Sequence, residues 1–329
     1  MGIDVTFFKM KKQTSPLMPR SAPLLAVLMM LPFSTLSAAD PAAELASFSV
    51  FPKVDLAQLS KGDAKPVRAG PSGSPRYLSV QTVYVAPLPP SEVLAKMRSW
   101  NPTRHPDLKV FLHVDSGSNF SRLQNVPDNS ATRYLINASS QSSSDLQLSS
   151  AEMKLLPGES FASVWTKILT GRVQSGPYNQ PPYDNATPSV RSGEELNGLL
   201  RSNDKIRRQF SGLVPGGKGE LYWELTSVDE RGVLTLGSFS TRNGSGGSIQ
   251  TASILYYASG GYYAGITLHQ LWPAQVDGRA STLIWRGDMI SSAAVAPLRG
   301  LERIAAESTM IKDVSRAISA FRRDIGSGR

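Results

Sequence analysis

The last third of the chain alternates apolar and polar residues with a period of two, which is typical of strands that bury one face. In residues 262–272, one face carries Tyr262, Ala264, Ile266, Leu268 and Trp272. Short segments rich in glycine and polar residues separate five such runs, and connections of this length join antiparallel neighbours. The pattern predicts five antiparallel strands, Leu221–Val228, Val233–Thr241, Ser248–Ala258, Tyr262–Trp272 and Ser281–Met289.

After Pro297 the apolar positions follow a helical period instead. The segment Leu298–Asp324 predicts a helix roughly 40 Å long, at a rise of ~1.5 Å per residue. Its apolar stripe consists of Leu301, Ile304, Ile311, Val314, Ile318, Phe321 and Ile325. Such a helix can form a coiled coil with a second chain or pack across a sheet. A coiled coil needs two apolar positions in every heptad, and Glu307 and Ser308 interrupt the second of them, which favours packing across the sheet.

Shorter elements are predicted before this region. A strand is expected at Arg76–Val85, a helix at Ser91–Trp100 and a second strand at Leu108–Val114. Because residues 61–75 are rich in glycine and proline, we predict that residues 40–75 form an N-terminal arm or linker.

The sequence pattern in the middle of the chain indicates an insertion. Residues 139–217 combine two helical patterns, Glu159–Leu169 and Gly193–Phe210, with the long loop Gln174–Ser192. We therefore predict a single α+β domain over residues 76–329 that carries this helical and loop insertion.

The N-terminus has the three parts of a secretory signal. Basic residues come first, an apolar stretch follows, and small residues end it: Lys9, Lys11, Lys12 and Arg20, then Ala22–Leu36, then Ser37-Ala38-Ala39. The apolar stretch is about 15 residues, short of the ~20 that span a bilayer. We therefore predict a cleavable signal peptide over residues 1–39.

Composition limits the compartments in which the protein can work and the partners it can bind. The chain has no cysteine, so its stability has to come from a packed core, and an exported chain of this kind suits the bacterial periplasm or exterior. Cleavage lowers the net charge from +9 to +6, because four basic residues and one acid leave. We expect no nucleic-acid partner, since the excess charge is scattered and no binding motif is present. We also expect no membrane span in the mature protein.

The order of elements resembles that of the START and Bet v 1-like, or helix-grip, proteins. In that arrangement a curved antiparallel sheet wraps a C-terminal helix and leaves a cavity between them. The resemblance is one of architecture and is best over Gly219–Ile325. It implies that a hydrophobic or amphiphilic small molecule binds between the sheet and the terminal helix.

Two sets of residues are candidates for contact with such a ligand. The aromatic set is Tyr256, Tyr262, Trp272 and Trp285, which line either a cavity or a packed core. The polar set is Glu224, His269, Arg286 and Asp288, which belong to strands of one predicted sheet. If the polar set shares the concave face, it can orient a head group or perform acid–base work. Arg286 and Asp288 alternate with Leu283 and Trp285 along the strand. If the apolar pair points inward, the polar set lies on an outward, solvated face.

Recognised catalytic motifs are not found. The three histidines, His105, His113 and His269, show no metal-ligand spacing. Ser202–Lys205 fits S-x-x-K, but the companion motifs of that chemistry are missing, and the glycines at 244–247 predict a hairpin turn. We predict no metal, no cofactor and no catalytic residue.

Three functions remain open from the sequence. The first is a secreted, soluble protein that binds a lipid or another apolar small molecule. The second is an interaction or structural protein of the cell envelope, which would use the loop Gln174–Ser192. The third is an enzyme with acid–base residues in the same cavity. Neither the ligand nor the oligomeric state follows from the sequence.

Overall fold

The computed structural model describes residues 40–62, 64–69, 73–185, 188–214 and 219–326. The predicted signal peptide, residues 1–39, lies outside them. This part of the chain folds as an open, eight-stranded antiparallel sheet with a long C-terminal helix and further helices, in the strand order β1-β2-β8-β7-β6-β5-β4-β3. The strands are β1 (Lys65–Arg68), β2 (Tyr77–Ala86), β3 (Val110–Val114), β4 (Glu220–Val228), β5 (Arg231–Asn243), β6 (Ile249–Ala258), β7 (Ala264–Val276) and β8 (Arg279–Ser291). The predicted α+β class is confirmed.

The helices of the described chain precede and follow the strands β4 to β8. They are α1 (Pro41–Phe48), α2 (Leu56–Lys61), α3 (Pro90–Ser99), α4 (Ser130–Ser140), α5 (Ser150–Met153), α6 (Phe161–Ser175), α7 (Ser192–Arg201), α8 (Asp204–Gln209) and α9 (Gly300–Gly326). The predicted terminal helix is therefore confirmed as α9.

Consecutive hairpins build the sheet from β4 to β8, which confirms the five predicted antiparallel strands. Asp229 and Glu230 turn the chain between β4 and β5 with φ of 48° and 65°. Positive φ at both central residues matches the right-handed twist of the flanking strands. β2 pairs with β8, and β1 pairs with β2 at that edge of the sheet, whereas β3 pairs with β4 at the other edge.

Helices cover both faces of the sheet, and each face has its own hydrophobic core. We call the side that carries α9 the α9 face. There α9 packs against β1 and β2, and α3 packs against β6, β7 and β8. We call the other side the insertion face, because α4, α6 and α7 pack there, together with α1 and α2. The larger core lies on the insertion face.

The structure differs from the sequence prediction in the N-terminal arm. Its described residues form α1, α2 and β1, and the side chains of Leu45, Phe48 and Leu59 are buried in the core. Asp40 caps α1 by accepting a hydrogen bond from the amide of Ala42 at 2.9 Å. The Gly- and Pro-rich composition of residues 61–75 predicted a linker, but the apolar residues that precede them anchor this segment to the core.

Two further differences concern helices. The helix predicted at Gly193–Phe210 is broken into α7 and α8, because the side chain of Asn203 accepts from the amide of Ile206 and starts a new helix. α4 was not predicted. It lies against β5 at Gly232, where a Cβ atom would come within 2.3 Å of the carbonyl oxygen of Ala131.

Candidate functional site

A band of polar side chains crosses the α9 face at right angles to the strands. Directly opposed residues of antiparallel strands share a face, and the register aligns one row over five strands: Thr82, Arg286, His269, Thr251 and Thr241. The next row adds Asp288, Thr267 and Ser253. We call these eight residues the polar band.

Apolar side chains border the polar band on both sides. On the side of α3 they are Tyr84, Ile284, Leu271 and Ile249. On the other side they are Leu78, Ile290 and Leu255, with Gly265 between Ile290 and Leu255 and Gly237 beyond Leu255. A polar strip between two apolar ones is the lining that an amphiphilic molecule requires.

Accessibility alternates along the strands of the band. Ser253, Thr267 and His269 on the α9 face are only partly buried. Their chain neighbours Ile254 and Leu268, which point to the insertion face, are 2% and 0% exposed. Side chains therefore fill the insertion face, whereas parts of the polar band stay accessible to solvent.

Arg286 and Asp288 form the charged centre of the band. The guanidinium donates from Nε to Asp288 Oδ2 at 2.8 Å and from Nη2 to Oδ1 at 2.7 Å, and Thr267 Oγ1 donates to the same Oδ1 at 2.9 Å. The side chains are 19% and 7% exposed. Burial lowers the pKa of Arg286, but the charge and hydrogen bonds of Asp288 outweigh it and raise that pKa overall, so the guanidinium stays charged.

His269 lies next to Arg286 in the same row. Its Nδ1 is 3.0 Å from Thr251 Oγ1, and within the described chain its Nε2 has no hydrogen-bond partner. Burial, and after it the charge of Arg286, holds the pKa of His269 well below its ordinary value. The imidazole is therefore neutral at pH 7, and one of its ring nitrogens is left to bond a ligand or water.

Two buried threonines on the α9 face have hydroxyls without a partner in the described part of the chain. Thr82 pairs with Arg286 across β2 and β8, and Thr235 pairs with Glu224 across β5 and β4. The Oγ1 atoms of both lack a hydrogen bond, and the residues are 0% and 1% exposed. A buried hydroxyl without a partner is costly, so these atoms are candidates for contact with a ligand or water.

A second polar cluster lies at the β3 edge of the same face. His113 contacts Glu224 Oε1 through Nδ1 and Asp115 Oδ1 through Nε2, each at 2.8 Å. Burial lowers the pKa of His113, but the hydrogen bonds and charges of the two carboxylates raise it overall. Because these carboxylates bind opposite sides of the ring, they do not converge as metal ligands do. Among the described residues, no group of three or more His, Asp or Glu side chains could hold a metal ion.

The structure separates the predicted site residues into two layers. Glu224, His269, Arg286 and Asp288 all lie on the α9 face, so the helices cover the side that alternation had marked as outward. Glu224 belongs to the edge cluster, and the other three belong to the polar band.

The predicted aromatic residues lie elsewhere. Tyr256, Trp272 and Trp285 are buried in the core of the insertion face. The indole nitrogens of Trp272 and Trp285 donate to Glu44 Oε2 at 2.8 Å and Gln81 Oε1 at 3.1 Å, as structural tryptophans do. Tyr262 precedes β7 and is partly buried.

Sequence reasoning missed the hydroxyl residues of the site. Thr82, Thr251 and Thr267 look like ordinary strand threonines. The signal that could have found them is register. Counting outward from the β7–β8 turn places His269 opposite Arg286, and Thr267 opposite Asp288.

Comparison with protein-family models and with curated proteins finds no match for this chain. The arrangement of sheet and C-terminal helix is compatible with a helix-grip fold. In the described chain, no helix combines the length and the apolar character needed to cross a bilayer.

Proposed function

We propose that the protein binds an amphiphilic small molecule in the space between the polar band and the helices α3 and α9. The observation that carries this proposal is the partly accessible polar band between two apolar rows, on the sheet face against which α3 and α9 pack. A ligand there would place its polar end on the band and its apolar part against the bordering side chains. On this proposal the helix-grip likeness extends to a START or Bet v 1-like mode of binding.

Binding is favoured over acid–base catalysis at the band. A general base works best when its pKa lies near the working pH, and the pKa of His269 is held well below its ordinary value. The carboxylate of Asp288 is occupied by Arg286 and Thr267. As part of the proposal, we keep the prediction that the protein is exported after cleavage near Asp40. The alternative function, as an interaction or structural protein of the cell envelope, stays a prediction.

Uptake of a neutral lipophilic probe, N-phenyl-1-naphthylamine, by delipidated protein tests the proposal. We expect saturable uptake with a defined stoichiometry. The variant Leu255→Trp adds an indole to the apolar border on the α9 face and should weaken uptake at least tenfold. A matched control, Ile254→Met, changes the neighbouring side chain on the insertion face and should leave uptake unchanged.

Unfolding in urea establishes that both variants are folded before uptake is compared. The proposal is wrong if the unaltered protein shows no saturable uptake. It is equally wrong if folded Leu255→Trp takes up the probe as the unaltered protein does.

A further inference from the structure

The polar band carries no free charge, and this property selects among amphiphilic ligands. The positive charge of Arg286 faces the two oxygens of Asp288 at 2.7 and 2.8 Å, so the pair is neutral as a unit. Thr267 donates to the same carboxylate, which uses further acceptor capacity of Asp288. A ligand anion placed here would have to compete with Asp288, which already pairs with the guanidinium of Arg286.

The groups with unused hydrogen-bonding capacity in and beside the band are uncharged. Among the described residues they include the Nε2 of His269 and the hydroxyl oxygen of Thr82. The neutral imidazole can present Nε2 as donor or acceptor, because the Thr251 hydroxyl can serve the other nitrogen in either role. A hydroxyl likewise donates and accepts.

The charged groups next to the band have partners of their own. Arg98 of α3 donates to Thr241 of the band at 3.2 Å and pairs with Glu220 at 3.0 Å. Arg322 of α9 interacts electrostatically with Tyr84, and its Nη1 donates to the carbonyl oxygen of Gly62 at 2.8 Å. At the β3 edge, His113 is held between the carboxylates of Glu224 and Asp115. Transfer of an ionised head group out of water is costly unless an opposite charge receives it, and the opposite charges within the band are already paired with each other.

Resting on the proposed function, we infer that the site selects amphiphiles with an uncharged, hydrogen-bonding head group, such as an alcohol, a glycerol ester or an amide. Carboxylate, phosphate and ammonium head groups are disfavoured. Specificity comes from hydroxyl and imidazole groups that would be left unpaired by a purely apolar ligand.

Displacement of the bound probe by amphiphiles of one chain length tests this inference. At pH 7.5, 1-monomyristoylglycerol should displace N-phenyl-1-naphthylamine at a concentration at least tenfold lower than myristate or tetradecyltrimethylammonium. Equal or tighter displacement by myristate would overturn the inference while the proposed function stands. Failure of every amphiphile to displace a bound probe would also overturn it. Absence of probe uptake would instead defeat the proposed function.

Two variants test the charge argument directly. Asp288→Asn leaves the charge of Arg286 uncompensated and should improve displacement by myristate at least tenfold. The double variant Arg286→Gln with Asp288→Asn removes both charges and should keep the preference for the glycerol ester, even if the single variant does not fold. A double variant that prefers myristate would show that the neutral pair does not set the selectivity.

Discussion

The buried ion pair of the insertion, Glu152 with Arg172, gives the sharpest stability prediction. Arg172 of α6 is 0% exposed, and it donates to Glu152 Oε1 at 2.7 Å and Oε2 at 2.5 Å. Its guanidinium also lies over the rings of Tyr257 and Tyr183, at 4.4 and 5.1 Å from their centroids. Glu152→Ala removes the only carboxylate that is in contact with this charge in the described structure.

The expected loss is large because an unpaired charge stays buried. Removing one partner of a buried ion pair costs about 3–5 kcal/mol. Glu152 also completes a reciprocal cap with Ser149 at the start of α5, which adds about 1 kcal/mol. The sum of about 4–6 kcal/mol is a substantial part of the ~5–15 kcal/mol that stabilises a typical domain.

A double variant separates the buried charge from the packing. Glu152→Leu with Arg172→Met removes both charges and leaves the carbonyl oxygen of Pro181 without its donor, at a cost of about 1–3 kcal/mol. Loss of the cap contributes about 1 kcal/mol in this variant too. It should therefore be more stable than Glu152→Ala.

Urea unfolding, followed by tryptophan fluorescence, measures these differences. Glu159→Ala is the matched control, since Glu159 pairs with the exposed Lys167, and it should leave the midpoint unchanged. A cost of less than about 1 kcal/mol for Glu152→Ala, or a double variant less stable than Glu152→Ala, would show that no uncompensated charge is left buried.

Two further predictions concern pH and core packing. Because the pKa of His113 is raised in the folded state, its stabilising contribution should be complete below the unfolded value of about 6.5 and lost as the pH rises through the folded pKa. Urea midpoints from pH 5 to 9 should thus show His113→Gln most destabilised at low pH, and a gap that grows with pH would contradict this sign. Gly287→Ala places a Cβ atom 2.5 Å from Trp285 Cη2 and should cost about 1–3 kcal/mol. Gly171→Ala, in a helix position with open space, should stabilise by about 0.5–1 kcal/mol in the same urea assay, and equal effects of the two substitutions would refute the packing argument.

The sequence by itself determined the local elements that repeat a simple pattern. The five final strands and α9 followed from period-two and helical spacing with clear turns between them, because side-chain direction along a regular element depends only on position. The same pattern indicated that His269 belongs to the opposite face of β7 from Trp272. It also indicated that Arg286 belongs to the opposite face of β8 from Trp285.

Tertiary structure alone decided what covers each face and which distant residues meet. Alternation separates two faces but does not say which is solvated. Here helices pack on both faces, so a polar row came to lie on the face that α3 and α9 pack against. β1 and α2 escaped prediction because short segments gain their stability from the sheet and core they join. The contact of His113 with Glu224 spans 111 residues of chain. No local pattern encodes such a pairing, because it depends on β3 crossing to the edge beside β4.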